Sequence, residues 1–126
     1  MPKFSKASAS KLATCHPDLQ KIFNEVIQAA DCTIICGART LEEQQKVFAD
    51  GFSKIDGINK KSKHQISAEQ PLSLAVDVLP YPIKWNDRKG HEEFARLVKA
   101  IAQRHGIKIA WGGDWKSFKD RPHYEL

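Results

Sequence analysis

The chain alternates short strand-like runs with helix-periodic stretches, and that alternation limits the fold more than any single residue does. Residues 33–36, 74–79 and 107–110 are each too short for a helix and carry the β-branched or alternating pattern of strands. Between and around them lie amphipathic segments. After Pro17, which suits the first position of a helix, Leu19, Ile22, Phe23, Val26, Ile27 and Ala30 recur at spacings of three and four. Thr40 and Glu43 have capping-box spacing, so a helix starts at Leu41 and ends near Asp50 and Gly51. A third helix, capped by Asn86 or Asp87 and stopped by Gly106, sets Phe94, Leu97, Val98, Ile101 and Ala102 on one face. Residues 1–15, rich in Ser, Ala and Lys, suit one short helix, and residues 123–126 a last short strand. The order α-β-α-loop-β-α-β-loop-β is that of a small α+β domain, a short, mostly antiparallel sheet with helices packed on one face. At 126 residues the chain is expected to form a single domain over 1–126.

Composition narrows the class. Hydrophobic residues at 41% and charged residues at 28% match soluble globular proteins and exclude a disordered, collagenous or coiled-coil chain. No apolar run approaches the roughly 18–20 residues of a membrane span, so no membrane insertion is expected. The stretch Met1-Pro2-Lys3-Phe4-Ser5-Lys6 has no apolar region behind it, so no signal peptide is expected and the protein is placed in the cytoplasm until something releases it. Twenty Lys and Arg against fifteen Asp and Glu give a net charge of +5, which favours a polyanionic partner. No nucleic-acid motif is present, so no nucleic acid is expected as that partner. Three cysteines do not make a disulfide framework. In a strand, Cys32 and Cys36 would lie roughly 13 Å apart at Cα, beyond the reach of about 4.4–6.8 Å of a disulfide. Both are read as small core residues.

Residues 51–73 hold no sustained periodicity and carry Lys54, Lys60, Lys61 and Lys63. A loop of that length inside a compact domain is unusual and often functional. His64 lies in it, beside Ser62, and His123 ends another irregular stretch, Asp120-Arg121-Pro122-His123. Between them Asp77 stands in an otherwise apolar strand, sharing a face with Ala75 and Leu79, while Leu74, Val76 and Val78 share the other. A buried carboxylate needs a cation, several donors or a metal. Two histidines and one carboxylate are a familiar ligand set for a catalytic zinc, with a fourth position left for water. Asp120 is then placed to act as general base. If residues 123–126 form a strand, Glu125 shares a face with His123 and competes for that role.

Ser62-Lys63-His64, Ala75-Val76-Asp77-Val78 and Asp120-Arg121-Pro122-His123 together resemble the signature of the D-alanyl-D-alanine and L-alanyl-D-glutamate metallopeptidases, peptidase family M15. The run from Ala75 to Trp85, followed by Trp111-Gly112-Gly113-Asp114-Trp115, is similar to the phage endolysin branch. The resemblance implies a hedgehog/D,D-peptidase-like fold and one zinc ion per chain, held by His64, Asp77 and His123. It implies Asp120 as general base, and Arg39 as the group that binds substrate and stabilises the oxyanion. Gln45, one turn along the helix after Arg39, and Ser62 are further expected substrate contacts. Trp111 and Asp114, at the Gly-Gly turn, are also placed there, Asp114 to bind the substrate amine or to orient a histidine. The twelve residues between His64 and Asp77 exceed what the family usually carries, and a surface loop absorbs such an insertion at small entropic cost. The implied activity is cleavage of bacterial peptidoglycan stem peptides at the L-alanyl–D-glutamate bond, by a monomeric enzyme of a phage or prophage. A D,D-carboxypeptidase or dipeptidase is the alternative among enzymes, and a non-catalytic basic binding module the alternative outside them.

Overall fold

A computed structural model of the chain describes residues 2–117 and 119–126. Helix α1 (Lys6–Leu12) is shorter than the 1–15 expected for it, and Met1 lies outside the described residues. Ser5 caps it by accepting the Ser8 N–H at 3.1 Å. Helix α2 (Pro17–Ala29) starts at its proline, and His16 caps it through Nδ1. Strand β1 (Cys32–Cys36) leads to α3 (Leu41–Ala49), which carries the expected capping box of Thr40 and Glu43. Strand β2 (Ala75–Pro80) is followed by α4 (Arg88–Arg104), for which Asp87 is the cap. The strand expected over residues 107–110 is only Ala110–Trp111 (β3), because Ile107 instead closes the end of α4 through its N–H to Ala102. Strand β4 (His123–Glu125) completes the set.

Among the described residues the strands form one antiparallel sheet in the order β1-β2-β4-β3. Leu19, Ile22, Phe23 and Val26 of α2 and Phe94, Val98 and Ile101 of α4 bury their side chains against Ile34, Val76, Val78 and Tyr124. Each such side chain contributes roughly 1.5–3 kcal/mol by leaving water. This is the one-faced packing expected from the sequence. Strand alternation sends Asp77 and its cross-strand partner His123 to the opposite face. Among the described residues no helix is long and apolar enough to cross a membrane.

One irregularity changes what the free face carries. The β1–β2 register shifts between Ile34 and Cys36, so that Cys36 pairs with Asp77. Plain alternation would put Cys36 in the core with Cys32 and Ile34; the extra residue of the bulge turns it to the other side. Cys32 is buried in the core as expected, whereas Cys36 is half-buried beside Asp77. Cys15, Cys32 and Cys36 are all free thiols.

Candidate active site

The free face of the sheet gathers His64, Asp77 and His123. Asp77 stands mid-strand in β2, and His123 opens β4 directly across from it. His64 comes from the long loop, which is fastened to the segment after β1: Arg39 N–H donates to the His64 carbonyl at 2.8 Å, and Ile66 N–H to the Arg39 carbonyl at 2.9 Å. His64 Nε2 lies 3.1 Å from Asp77 Oδ1 and 3.2 Å from His123 Nδ1, and His123 Nδ1 lies 3.3 Å from Asp77 Oδ1.

The outer nitrogens of both rings are committed. His64 Nδ1 donates to the Gly37 carbonyl at 2.8 Å, and His123 Nε2 donates to the Glu125 carboxylate at 2.7 Å. A carbonyl and a carboxylate can only accept, so each ring turns its inner nitrogen to the cluster, and that nitrogen, once deprotonated, offers the lone pair that a metal requires. Tetrahedral zinc with bonds of about 2.0–2.1 Å separates its ligand atoms by about 3.3 Å. The three inner atoms therefore stand at the spacing of three corners of such a site. Without an ion, burial alone would pull the His64 imidazole down, but hydrogen bonds with Asp77 and Cys36 outweigh it and push it up to about 10. Burial works against the Asp77 carboxylate, yet His123 and His64 hold it well below the usual carboxylate range.

Around this cluster lies a cleft of about 430 Å³ whose lining includes Arg39, Ser62, His64, Trp115, Asp120, His123 and Glu125. Asp120 stands within 4.8 Å of Asp77 and His123, ligand atom to ligand atom. Burial, and then the negative charge of Asp77, raise its carboxyl above the ordinary value. Its position depends on Gly112. A β-carbon there would lie 2.1 Å from the Asp120 carbonyl oxygen, so only glycine lets the two segments close. Arg39 directs Nη2 to Asp77 Oδ2 at 3.7 Å and Nη1 to Gln44 Oε1 at 3.2 Å.

The other expected substrate contacts divide. Ser62 is in the cleft wall. Gln45 is exposed on α3, outside the lining; its neighbour Gln44 is fully buried and holds Arg39. Long helical side chains lean toward the N-terminus, so the residue four past the cap Thr40 reaches back to Arg39, and the next one is rotated away. Trp111 is buried, its indole N–H donating to the Arg121 carbonyl at 2.6 Å. Asp114 pairs with Lys99, and the outer nitrogens of His64 and His123 are taken by the Gly37 carbonyl and by Glu125. Trp115 is the tryptophan at the cleft, its ring 5.1 Å from that of His123. Glu125 bonds the outer nitrogen of His123, whereas the Asp120 carboxylate stands within 4.8 Å of both Asp77 and His123. Cys36 adds a thiol within 4.8 Å of His64 and Asp77, so the cluster contains a soft ligand as well.

Fold and cleft together define a class: small α+β domains whose cleft floor gathers side chains that could hold a metal ion. Comparison with known proteins carries this further. The family described as phage L-alanyl-D-glutamate peptidase matches residues 1–125. The L-alanyl-D-glutamate peptidase of Escherichia phage T5 is 32% identical over 123 residues, which are 94% of this chain and 85% of that protein. The peptidoglycan L-alanyl-D-glutamate endopeptidase CwlK of Bacillus subtilis (strain 168) is 29% identical over 106 residues, 76% of this chain and 60% of that protein. The crystal structure of the Serratia marcescens L-Ala D-Glu endopeptidase ChiX matches with a TM-score of 0.79 at 27% identity, covering 98% of this chain and 90% of that one. The chain belongs to the phage L-alanyl-D-glutamate peptidase family.

Proposed function

We propose that the protein is a zinc-dependent endopeptidase that cuts the L-alanyl–D-glutamate bond of peptidoglycan stem peptides. The observation that carries this reading is the triangle of His64 Nε2, Asp77 Oδ1 and His123 Nδ1, 3.1–3.3 Å on a side, with both outer ring nitrogens already bonded. When bound, zinc acidifies a water molecule and polarises a carbonyl at neutral pH. Asp120 then takes a proton from the attacking water and returns it to the nitrogen of the leaving amine, and its raised proton affinity suits both transfers. Arg39 offers paired N–H donors to the carbonyl oxygen as it gains charge, held in aim by Asp77 and Gln44. The same reading makes the protein a phage or prophage lysis enzyme, working as a monomer once it reaches the wall, where its net charge of +5 holds it to anionic polymer.

Digestion of purified peptidoglycan and mass spectrometry of the products test it. Stems with a new D-glutamate amino terminus are expected, abolished by chelation and restored by zinc, and absent with a His64→Ala variant that no longer retains zinc. Release of terminal D-alanine would move the bond to that of a D,D-carboxypeptidase. No product in any metal condition, together with unchanged metal content in His64→Ala, would leave a basic binding module.

A further inference from the structure

The loop between α3 and His64 has no regular structure, yet it is built. Gln44, fully buried, donates to the Ile55 carbonyl at 2.7 Å and to Ser53 Oγ at 3.0 Å. Gln65, also buried, donates to the Gly57 carbonyl at 3.0 Å. Asp56 Oδ1 accepts the N–H groups of Ile58 and Asn59 at 2.9 Å each, and Gly57 makes the turn at φ +86°, a conformation open to glycine. The segment so fixed brings Lys54, Lys60, Lys61 and Lys63 into one wall of the catalytic cleft, while Asp120 and Glu125 stand in the lining with His123 and Trp115. The cleft is thus cationic along the loop and anionic beside the metal-facing histidines. No step of the proposed reaction falls to the lysines.

We propose that the lysine wall formed by Lys54, Lys60 and Lys61 is a subsite for the free carboxylate of the D-glutamyl residue on the leaving-group side of the scissile bond. This rests on the endopeptidase reading and specifies which substrates it favours. A glutamyl residue acylated on its amine has two carboxyl groups, and continuing the chain consumes one. The other remains a carboxylate within a few bonds of the amine to which Asp120 returns the proton. Asp120 and Glu125 repel that charge, and the lysines attract it, so the two walls orient the leaving group. In this reading Arg39 serves the carbonyl oxygen of the scissile bond, and Lys63 Nζ donates to the Leu126 carbonyl at 3.2 Å. Lysine, a flexible point charge, suits a carboxylate whose exact position varies with the next residue of the stem.

The test uses two synthetic acyl-L-Ala-D-Glu stems extended by a third residue, one with the free carboxylate and one with that group as a carboxamide. The zinc-loaded full chain is expected to prefer the acid about tenfold in kcat/KM, the scale of a partly desolvated charged hydrogen bond. Raising salt from about 50 to about 500 mM shrinks this preference by screening. In Lys54→Gln/Lys60→Gln/Lys61→Gln the preference falls to about one, through loss on the acid stem. Turnover of the amide stem reports that the variant is folded. Lys108→Gln, an exposed charge outside this cleft, keeps the preference. Equal cleavage of both stems by the unaltered protein, or a tenfold preference retained in the triple variant, overturns the subsite alone. Cleavage of neither stem overturns the endopeptidase reading and the subsite with it.

Discussion

Each histidine of the cluster is oriented by what holds its other nitrogen. For His64 the acceptor is a backbone carbonyl, which no side-chain substitution removes; for His123 it is Glu125, at 2.7 Å. Glu125→Ala is therefore expected to weaken zinc binding by about 10–100-fold, the range typical of such supporting bonds. Glu125→Gln, which keeps an amide oxygen as acceptor, should lose much less. Competition with a chromophoric chelator measures both, and equal affinity in all three proteins would show that Glu125 does not position the ring. The residues of the cluster itself were legible in the sequence because each breaks a local rule. Asp77 is a carboxylate in an apolar strand, and His64 and His123 sit in stretches with no periodicity. Cys36 was not legible, since alternation along 32–36 puts it in the core and only the bulge at Ile35 turns it out. Glu125 showed its face in the sequence but not its partner, and Gln44 was hidden behind its neighbour by one helical step.

The elements differ in how they are held. Strand β1 is the edge of the sheet beyond β2, and α1 covers it: Ile34 N–H donates to Ser8 Oγ at 3.0 Å, with both residues buried. The serine thus supplies the acceptor that a further strand would otherwise provide. Ser8→Ala is expected to lower stability by about 1–3 kcal/mol, because the buried N–H loses its partner. Urea denaturation checks this, and a midpoint unchanged from the parent would mean that α1 merely lies against the strand. Helices α2, α3 and α4 were readable because caps and periodicity are local: Pro17, the Thr40–Glu43 pair and Asp87 all fall where the chain turns helical. Strand β3 was overestimated because Ile107 and Ile109 alternate as a strand would, while Ile107 is drawn to the end of α4. Residues 51–63 were readable only as a loop, since the side chains that fasten it to the rest of the fold, Gln44 and Gln65, lie outside it.

At the scale of the molecule, the cluster joins the long loop, β2 and β4, three segments far apart in the chain, so binding an ion there and folding are one equilibrium. In the metal-free protein the His64–Asp77 pair already stabilises the fold. His64, raised to about 10, contributes fully below its unfolded value of about 6.5 and loses that contribution as pH rises toward 10. Asp77, held low, contributes above the unfolded carboxylate value and loses it only in strong acid. Zinc needs the proton gone from His64 Nε2, so it competes with that proton across neutral pH, and its affinity should rise about tenfold per pH unit toward 9. A ligand at one hundred times its dissociation constant stabilises by about 2.7 kcal/mol, roughly 10 °C in a domain of this size. The difference in Tm between zinc-loaded and metal-free protein, at fixed free zinc, is accordingly expected to widen from pH 6 to pH 9. Zinc binding near pH 7 should release protons, seen as a heat that depends on the ionisation enthalpy of the buffer. A Tm difference that stays constant across that range, with no proton release, would place the ion elsewhere than between His64, Asp77 and His123.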